Sequence, residues 1–355
     1  MGERIEQEEN INEIKDPINM IIGVDVSPGF RKGNEAYVKD FKKKAEVMTL
    51  KKISLDEFMR LRKLVYRNAR PIDYTKWKFL FENGSCDDFL LVLSGYQNED
   101  GGFGHNIECN NWNPNSSPYT VCIALDYLDT TGDYEGDTKN KIIAGIIKYL
   151  SSGAYSLADG WVGMQGIPSN NDFPHMPWFH YDSKKAVEAD IGVTKRLADF
   201  ILKHADKESN IYGKAECLKD QYRQCGQVLL HGYPDYDPAA LNINAFDPAT
   251  YPSWLPLPVY FVGSPESSFY SECRHTVDMN LDTIIDSLLS TNEFQLPSDE
   301  ELDAYEQSNP HPDGKRWCVA EQTIGNYYWG SNFIIRDLDI LRKFGRLDFD
   351  LPVLI

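Results

Sequence analysis

The stretch Gln97-Asn98-Glu99-Asp100-Gly101-Gly102-Phe103-Gly104 decides which fold is expected for this chain. Its last four residues contain three glycines, which permit positive φ angles and close approach of the backbone to neighbouring elements. Gln97 and Asp100 can hydrogen-bond the backbone of the turn and the unpaired N–H groups of a following helix. The stretch therefore predicts a tight turn that joins two helices.

Two later segments look like degenerate copies of the same unit. They are Asp159-Gly160-Trp161 and Asp313-Gly314-Lys315-Arg316-Trp317, and each places Asp-Gly and an aromatic residue between two helical patterns. Periodic helix pairs of this kind stack into solenoids or close into rings. We therefore predict an all-α fold, an (α/α) barrel or toroid of paired inner and outer helices.

The helix starts are predicted from their capping residues, and sustained period-2 alternation is nearly absent. Ser54-Leu55-Asp56-Glu57 has the pattern of a capping box, and Pro118 follows Ser117 at the first helical position. Ser85 is predicted to precede a further, short helix. Ser183 is predicted to begin a helix that turns Val187 inward. Further helices are predicted over 215–229 and, closing at Gly345, over 333–344.

Composition excludes several classes of function. The 355 residues carry 54 acidic and 36 basic side chains, a net charge of −18, which argues against binding nucleic acid or an anionic membrane surface. The seven cysteines are scattered without a Cys-x-x-Cys motif, as expected of reduced thiols. No apolar run approaches the ~20 residues of a membrane span, and the N-terminus lacks a signal pattern. We expect a cytoplasmic protein.

The chain divides into two parts by composition. Residues 1–52 are rich in charge and poor in apolar side chains, and we interpret them as a partly ordered N-terminal extension. Residues 53–355 carry the helical pattern and are expected to form a single toroid domain. The oligomeric state and the role of the extension do not follow from the sequence.

The stretch over 97–104 resembles the Q-x-x-D-G-G-[FW] repeat of the terpenoid cyclase and protein prenyltransferase α/α-toroid superfamily, the squalene-cyclase type of repeat. More closely, the chain is similar to an uncharacterised bacterial family within that superfamily. The stretches that match lie between residues 54 and 349, at 66–71, 96–105, 112–118, 168–178 and 344–347. The resemblance implies an (α/α) barrel whose inner helices line an aromatic central cavity.

This chain lacks the residues that define the reactions of that superfamily. No D-x-D-D acid motif occurs, and Asp87-Asp88 lacks the third aspartate of the D-D-x-x-D motif that holds Mg²⁺ on a diphosphate. The D-x-C pair of the zinc-dependent prenyltransferases is also absent. The resemblance therefore implies the fold and leaves the activity open.

Two loops carry the candidate catalytic residues, His105 and Glu108 in one and Asp172 and His175 in the other. A histidine beside a desolvated glutamate suits general acid–base chemistry. The alternative is that His105 and Glu108 brace the turn and cap the next helix. Asp172 and His175 lie in a proline-stiffened loop that suits a ligand pocket or simply packs across one end of the barrel.

Aromatic residues and one acid form the set of candidate ligand contacts. Aromatic faces suit an apolar, cationic or sugar ligand, and core packing is the alternative role for each of them. The predicted ligand-binding residues are Trp112, Trp161, Trp178, Glu321 and Trp329. No local ligand spacing supports a metal site, no cofactor motif is present, and we expect neither a metal nor a cofactor.

Three functions remain open on the sequence alone. The first is a terpenoid-cyclase-like protein that acts on or binds an isoprenoid or another hydrophobic small molecule. The second is a carbohydrate-active (α/α)-barrel hydrolase or lyase, for which the separation of two carboxylates would be diagnostic. The third is a non-catalytic module that binds a ligand or a protein partner. Whether the loops of His105 and His175 form one pocket is also open.

Overall fold

The computed structural model describes residues 50–224, 257–267, 270–292, 298–308, 310–311 and 319–351. Most of the N-terminal extension, residues 1–49, and the third predicted repeat over 313–317 lie outside these ranges. The described part of the chain is mainly helical, as predicted. Its α-helices are α1 (Leu55–Asn68), α2 (Pro71–Phe81), α3 (Cys86–Ser94), α4 (Pro118–Asp129), α5 (Asp137–Ser151), α6 (Ile191–His204), α7 (Asn210–Gln224), α8 (Pro258–Val262), α9 (Tyr270–Ser290), α10 (Asp299–Ser308) and α11 (Val319–Lys343).

One short hairpin and several 3₁₀ turns complete the described structure. Strands β1 (Ser156–Leu157) and β2 (Gly160–Trp161) pair antiparallel, with Ser156 opposite Trp161. The 3₁₀ turns lie in the long connection between α5 and α6, at Met164–Gly166, Pro168–Asp172, Pro177–Phe179 and Lys185–Val187. The second predicted Asp-Gly-aromatic segment is therefore part of a hairpin, with Asp159 in its turn and Gly160 and Trp161 in β2.

Serine caps start three of the helices where the sequence predicted them. Ser54 and Ser85 accept hydrogen bonds from the backbone amides of Glu57 and Asp88. Ser117 and Thr120 form a reciprocal capping box at the start of α4. Each bond satisfies an amide that the first turn of a helix leaves without a partner.

The helix predicted to start at Ser183 begins eight residues later, at Ile191, and Asp190 caps it. The prediction was wrong here, and Val187 is 74% exposed in a 3₁₀ turn. The cause is tertiary: Ala189 pairs with Val162, and the Asp190 amide donates to the Trp161 carbonyl. These contacts hold the chain extended until α6 starts.

The helices from α3 to α7 pack in two alternating sets. Each helix contacts the next one along the chain, and each also contacts the next but one: α3 with α5, α4 with α6, and α5 with α7. The last helix, α11, packs against α1, α2 and α9. Ile53 and Leu347 form a parallel bridge, so the two ends of the helical region meet.

Two hydrophobic clusters hold these helices together. The first contains side chains of α3 to α7 with Phe103, Ile107 and Trp161. The second contains side chains of α1, α8, α9 and α11. Helix α2 joins the two, since Ile72 belongs to the first cluster and Trp77 and Phe81 to the second.

The glycine turn over 97–104 is tied to α5. The Gln97 amide Nε2 donates to the carbonyls of Gly101 and Ile142, at 2.9 and 3.0 Å. Gly101 has φ +94°, and a Cβ atom there would lie 2.0 Å from the carbonyl oxygen of Gly145. Only glycine satisfies both the positive φ and the close approach to the α5 backbone. Asp100 closes the turn by accepting from the Gly102 amide at 2.8 Å.

Candidate functional site

Glu108 is the buried acid of the loop between the glycine turn and α4. Its side chain is 3% exposed, and its Oε2 accepts a hydrogen bond from the Asn110 amide at 2.7 Å. The loop reaches this position through two residues with positive φ, His105 at 57° and Asn106 at 62°. The fold therefore directs a carboxyl group inward where most loop residues would face solvent.

Burial raises the pKa of Glu108 to about 7. Removal from water penalises the charged form, and this effect outweighs three interactions that favour it. Those are the Asn110 hydrogen bond, the positive charge of Arg70 and the side chain of Trp329. A carboxyl with this pKa exchanges a proton near neutral pH, as general acid–base catalysis requires.

A buried polar network lies beside Glu108. Arg70 is 4% exposed, and its Nη1 donates to the carbonyls of Asn106 and Ile107 at 2.6 and 3.0 Å. Its Nε binds Asp73 at 2.8 Å. Arg70 thus fixes the backbone that carries Glu108, and it places a cation close to that acid.

Helices α2, α4 and α11 meet in this network. The Tyr127 hydroxyl of α4 accepts from Arg70 and donates to Asp73, at 2.8 and 2.7 Å. Asn332 of α11 donates to the same Asp73 oxygen at 3.1 Å. Both carboxylate oxygens of Asp73 are therefore occupied, which leaves this acid with a structural and electrostatic role.

Helix α11 approaches the Glu108 loop very closely. A Cβ atom at Gly325 would lie 2.4 Å from Oδ1 of Asn110, so glycine allows the contact. One turn further along α11, Trp329 stacks on Phe333 with ring centroids 5.1 Å apart. Glu108 also contributes to a raised pKa of Tyr119, whose main cause is burial. The acid is thus surrounded by a helix, a loop and aromatic side chains.

Three buried polar atoms of this loop and of α11 have no hydrogen-bond partner among the described residues. They are Oδ1 of Asn110 and the indole Nε1 atoms of Trp112 and Trp329. Buried polar atoms are usually paired, and leaving one unpaired costs about 1–3 kcal/mol. Each of these atoms can form a hydrogen bond with a ligand or with a water molecule.

The two loops that carry the predicted catalytic residues do meet. Asn111 forms a bridge with His175, the Trp112 amide donates to the Pro174 carbonyl, and the Met176 amide donates to the Asn110 carbonyl. The Asn170 side chain reinforces the pairing. It accepts from the side-chain amides of Asn111 and Asn113 at 3.0 and 2.9 Å. The proline-stiffened loop is thereby fixed against the loop of Glu108.

His175 lies in a small group of histidines. Its Nδ1 hydrogen-bonds the Phe173 carbonyl at 2.8 Å, and its Nε2 hydrogen-bonds Nδ1 of His180 at 3.2 Å. The His180 ring also contacts that of His311, with centroids 5.2 Å apart. Burial lowers the pKa of His175. Within the described ranges, no three His, Cys, Asp or Glu side chains are grouped so that they could hold a metal ion.

The remaining predicted site residues have different surroundings. His105 hydrogen-bonds the Asn98 side chain at 2.8 Å and is exposed, as a residue that braces the turn would be. Asp172 is exposed, and Trp178 is 40% exposed. Trp161 is fully buried in the first hydrophobic cluster. Glu321 belongs to α11, but its side chain is outside the described part of the chain.

The residues that sequence reasoning missed are those of the Arg70 network, which come together from distant parts of the chain. Arg70, Tyr127 and Asn332 meet across separations of 57 and 205 residues. Arg70 immediately precedes the proline that starts α2, a position that predicts a helix start and nothing about a buried ion pair. No local spacing signals such a network.

No known protein family, curated protein or solved structure matches this chain. In the described part of the chain, no helix is both long and apolar enough to cross a membrane.

Proposed function

We propose that this chain is an acid–base enzyme of the terpenoid-cyclase-like α/α-toroid type, and that it acts on an isoprenoid or another largely apolar small molecule. The observation that carries the proposal is Glu108. It combines nearly complete burial, a pKa of about 7 and the nearby side chains of Arg70 and Trp329. In this proposal its carboxyl group gives a proton to the ligand or takes one from it.

The helix contacts support a toroid. Contacts between next-but-one helices arise when helix pairs follow a curve in two layers, and contact of α11 with α1 and α2 brings the last helix to the first. Under this arrangement α2, α4 and α11 belong to the inner layer, since their side chains meet in the Arg70 network. Glu108 would then lie at the end of the central space where these helices begin.

The surroundings of Glu108 support a mainly apolar ligand with a single polar group. Tyr119 and Trp329 offer aromatic surface, which can also stabilise a positive charge on a reacting carbon atom. The indole N–H of Trp112 has no hydrogen-bond partner among the described residues, and it suits one hydroxyl or carbonyl oxygen on the ligand. Once Glu108 has given up its proton, the cation of Arg70 stabilises the carboxylate that remains.

Chemistry on a diphosphate is not part of the proposal. Asp87 and Asp88 are exposed at the start of α3, where the Asp88 amide binds the Ser85 cap. Acids are favoured at that position because they complement the positive end of the helix dipole. These two residues therefore have a structural explanation that needs no metal ion.

The carbohydrate alternative has less support. A glycosidase needs two available carboxyl groups that flank the bond it breaks. Asp73 is a second buried acid in the network beside Glu108, but both of its oxygens already accept hydrogen bonds. The binding-module alternative has its ligand at the same place as our proposal and differs only in the role of Glu108.

The test is a thermal-shift screen followed by analysis of products. Neutral isoprenoids, prenyl diphosphates with and without Mg²⁺, and oligosaccharides are added to the purified chain. A ligand at 100 times its dissociation constant adds about 2.7 kcal/mol of stability, a shift of about 2–4 °C for a chain of this size. We expect neutral isoprenoids to produce the shift and to be converted, as detected by mass spectrometry.

Two variants isolate the role of Glu108. Glu108→Gln keeps the shape of the side chain but cannot exchange a proton, so we expect binding to persist while turnover falls by about 10²–10⁴-fold. Glu99→Gln, at an exposed position of the same loop region, is the matched control and should behave as the wild type. A bound ligand without any product would favour the binding module, and a shift with sugars alone would favour the carbohydrate reading.

A further inference from the structure

One face of α11 extends from the surroundings of Glu108 to an arginine. Trp329, which lies near Glu108, is followed on the same face of the helix by Phe333 and Arg336, four and seven residues later. The rings of Trp329 and Phe333 stack with centroids 5.1 Å apart, and the Cζ atom of Arg336 lies 4.7 Å from the Phe333 centroid. The three side chains therefore form a continuous row that leads away from Glu108.

The far part of this row is open to solvent. The Phe333 side chain is 41% exposed, and so is the Arg336 side chain. A single exposed apolar residue needs no explanation by itself. Phe333, however, lies between the aromatic neighbour of a buried acid and a partly exposed cation. A ligand that starts at Glu108 and runs along α11 would cover Phe333 and reach Arg336.

Arg336 is held in place by α11 itself and by α8. Its Nε and Nη2 donate to Oδ1 of Asp337, at 3.0 and 2.9 Å, and the Tyr260 hydroxyl of α8 donates to the same oxygen. The Arg336 Cζ atom also lies over the Tyr260 ring, 4.2 Å from its centroid. Among the described residues Nη1 makes no hydrogen bond. A guanidinium has five N–H groups, so the Nη1–Nη2 end of this one can still bind an anion.

We propose that the ligand carries a carboxylate at the end remote from Glu108, and that Arg336 binds this carboxylate. The inference rests on the proposed function, because it takes the reacting end of the ligand to lie at Glu108. The free end of a guanidinium forms two parallel hydrogen bonds with a carboxylate. A phosphate also fits that geometry, but its charge of about −2 would face Asp337 with only one cation between them. A carboxylate has a single charge and matches the single arginine.

The helix sets the length of such a ligand. An α-helix rises about 1.5 Å per residue, so Arg336 lies about 10 Å along the axis from Trp329. The apolar part of the ligand therefore spans about 10 Å and packs on the rings of Trp329 and Phe333. Geranic acid, a short isoprenoid acid, has a comparable length. Geraniol has the same carbon skeleton with a neutral hydroxyl in place of the carboxylate, and the two compounds form a matched pair of probes.

The test is isothermal titration calorimetry on the full chain at about pH 7.5, where a carboxylic acid is ionised. We expect geranic acid to bind the wild type about tenfold more tightly than geraniol, because hydrogen bonds to charged groups are the stronger ones. Arg336→Met keeps the length of the side chain without its charge. It should remove this preference by weakening the acid about tenfold, and it should leave the affinity for geraniol unchanged.

Two further variants complete the comparison. Arg342→Met is the matched control, since Arg342 is a partly exposed arginine of the same helix that pairs with Asp339, and both affinities should stay at the wild-type values. Arg336→Lys keeps the charge but not the paired donors, so it should retain only part of the preference for the acid. This variant provides the comparison if Arg336→Met does not fold.

The outcomes separate this proposal from the acid–base function. The proposal is overturned if geranic acid does not bind, if geraniol binds the wild type equally well, or if Arg336→Met weakens both compounds by the same factor. Tighter binding of geranyl phosphate than of geranic acid overturns the assignment to a carboxylate. If geraniol is converted without any preference for the acid, the acid–base function stands and the Arg336 site fails. If the acid binds through Arg336 and no compound is converted, the Arg336 site stands and the catalytic role of Glu108 fails.

Discussion

Glu108 retains its proton in the folded chain because its carboxyl group has been moved from water into a nearly closed site. The Asn110 amide and the Arg70 guanidinium favour the anion, yet burial outweighs them. The difference between the ordinary value of 4.5 and a pKa of about 7 corresponds to about 3 kcal/mol, since each tenfold change in proton affinity is ~1.4 kcal/mol. Burial of Glu108 therefore lowers the free energy of unfolding at neutral pH, which burial of a side chain that does not ionise would not do.

This cost predicts a specific dependence of stability on pH. Because the folded chain binds the proton more tightly than the unfolded chain does, the contribution of Glu108 is most favourable below about pH 4.5 and is lost as pH rises to about 7. Glu108→Gln cannot ionise. We expect its free energy of unfolding to gain up to about 3 kcal/mol on that of the wild type between those pH values. Denaturant unfolding measured at intervals from about pH 4 to pH 8 provides the comparison.

The change of this difference with pH is what matters, since the amide itself shifts the stability of the variant by a constant amount at every pH. Glu99→Gln, at an exposed position, should run parallel to the wild type throughout. If the Glu108→Gln curve is also parallel, Glu108 ionises in the folded chain as an ordinary glutamate does. The acid–base proposal would then lose its main support.

The glycine turn shows how one element fixes the position of the next. Gln97 lies over Gly145 of α5, where a Cβ atom would be 2.4 Å from its Nε2, and it uses that space to bind two carbonyls. Glycine inside a helix costs about 1 kcal/mol relative to alanine. Gly145 thus weakens α5, but it leaves the space in which Gln97 fixes the turn before the Glu108 loop.

This contact predicts strong coupling between two positions. Gly145→Ala should displace the Gln97 amide and cost about 1–2 kcal/mol, the loss of two hydrogen bonds less the gain in helix propensity. Once Gln97→Ala has removed those bonds, adding Gly145→Ala should stabilise the chain by about 1 kcal/mol. The four free energies of unfolding form a double-mutant cycle. If the two substitutions are additive, Gln97 does not occupy the space above Gly145 in solution.

Local patterns predicted the helix starts but not every connection. The caps at Ser54, Ser85 and Ser117 depend on residues within three positions of each other, which a sequence displays directly. The start at Ser183 was wrong because Ala189 pairs with Val162, which lies 27 positions earlier. Glu108 was predicted as a candidate acid from its loop, whereas the burial that shifts its pKa depends on helices far away in the chain.

At the scale of the whole molecule, the ends of the helical region are joined by one buried cation. Arg346 is 2% exposed and donates to the Lys51 carbonyl at 2.9 Å. It also pairs with Asp278 and Asp282 of α9, at 2.9 and 2.8 Å. The residue therefore connects the start of the helical region, α9 and the segment after α11. All three belong to, or adjoin, the second hydrophobic cluster.

We expect replacement of Arg346 to destabilise the region around the second hydrophobic cluster. Arg346→Met removes the only cation shown paired with Asp282 in the described residues and leaves Asp278 with only Arg274, at 3.9 Å. Breaking a buried pair costs about 3–5 kcal/mol. Amide hydrogen exchange should become faster in α1 and α9, while α5 to α7, which belong to the first cluster, should change little. Arg342→Met is the control, because its pair with Asp339 is more exposed and should contribute less than about 1 kcal/mol.

The pattern of amide hydrogen exchange distinguishes local opening of one cluster from unfolding of the whole chain as one unit. If protection falls only around the second cluster, the clusters open separately and α2, which contributes to both, is the element that couples them. The Arg70 network at the start of α2 would then transmit any loosening of the chain ends to the loop of Glu108. If protection falls equally in all helices, the chain unfolds as one unit. The contacts of Arg346 then affect the candidate site only through the stability of the whole fold.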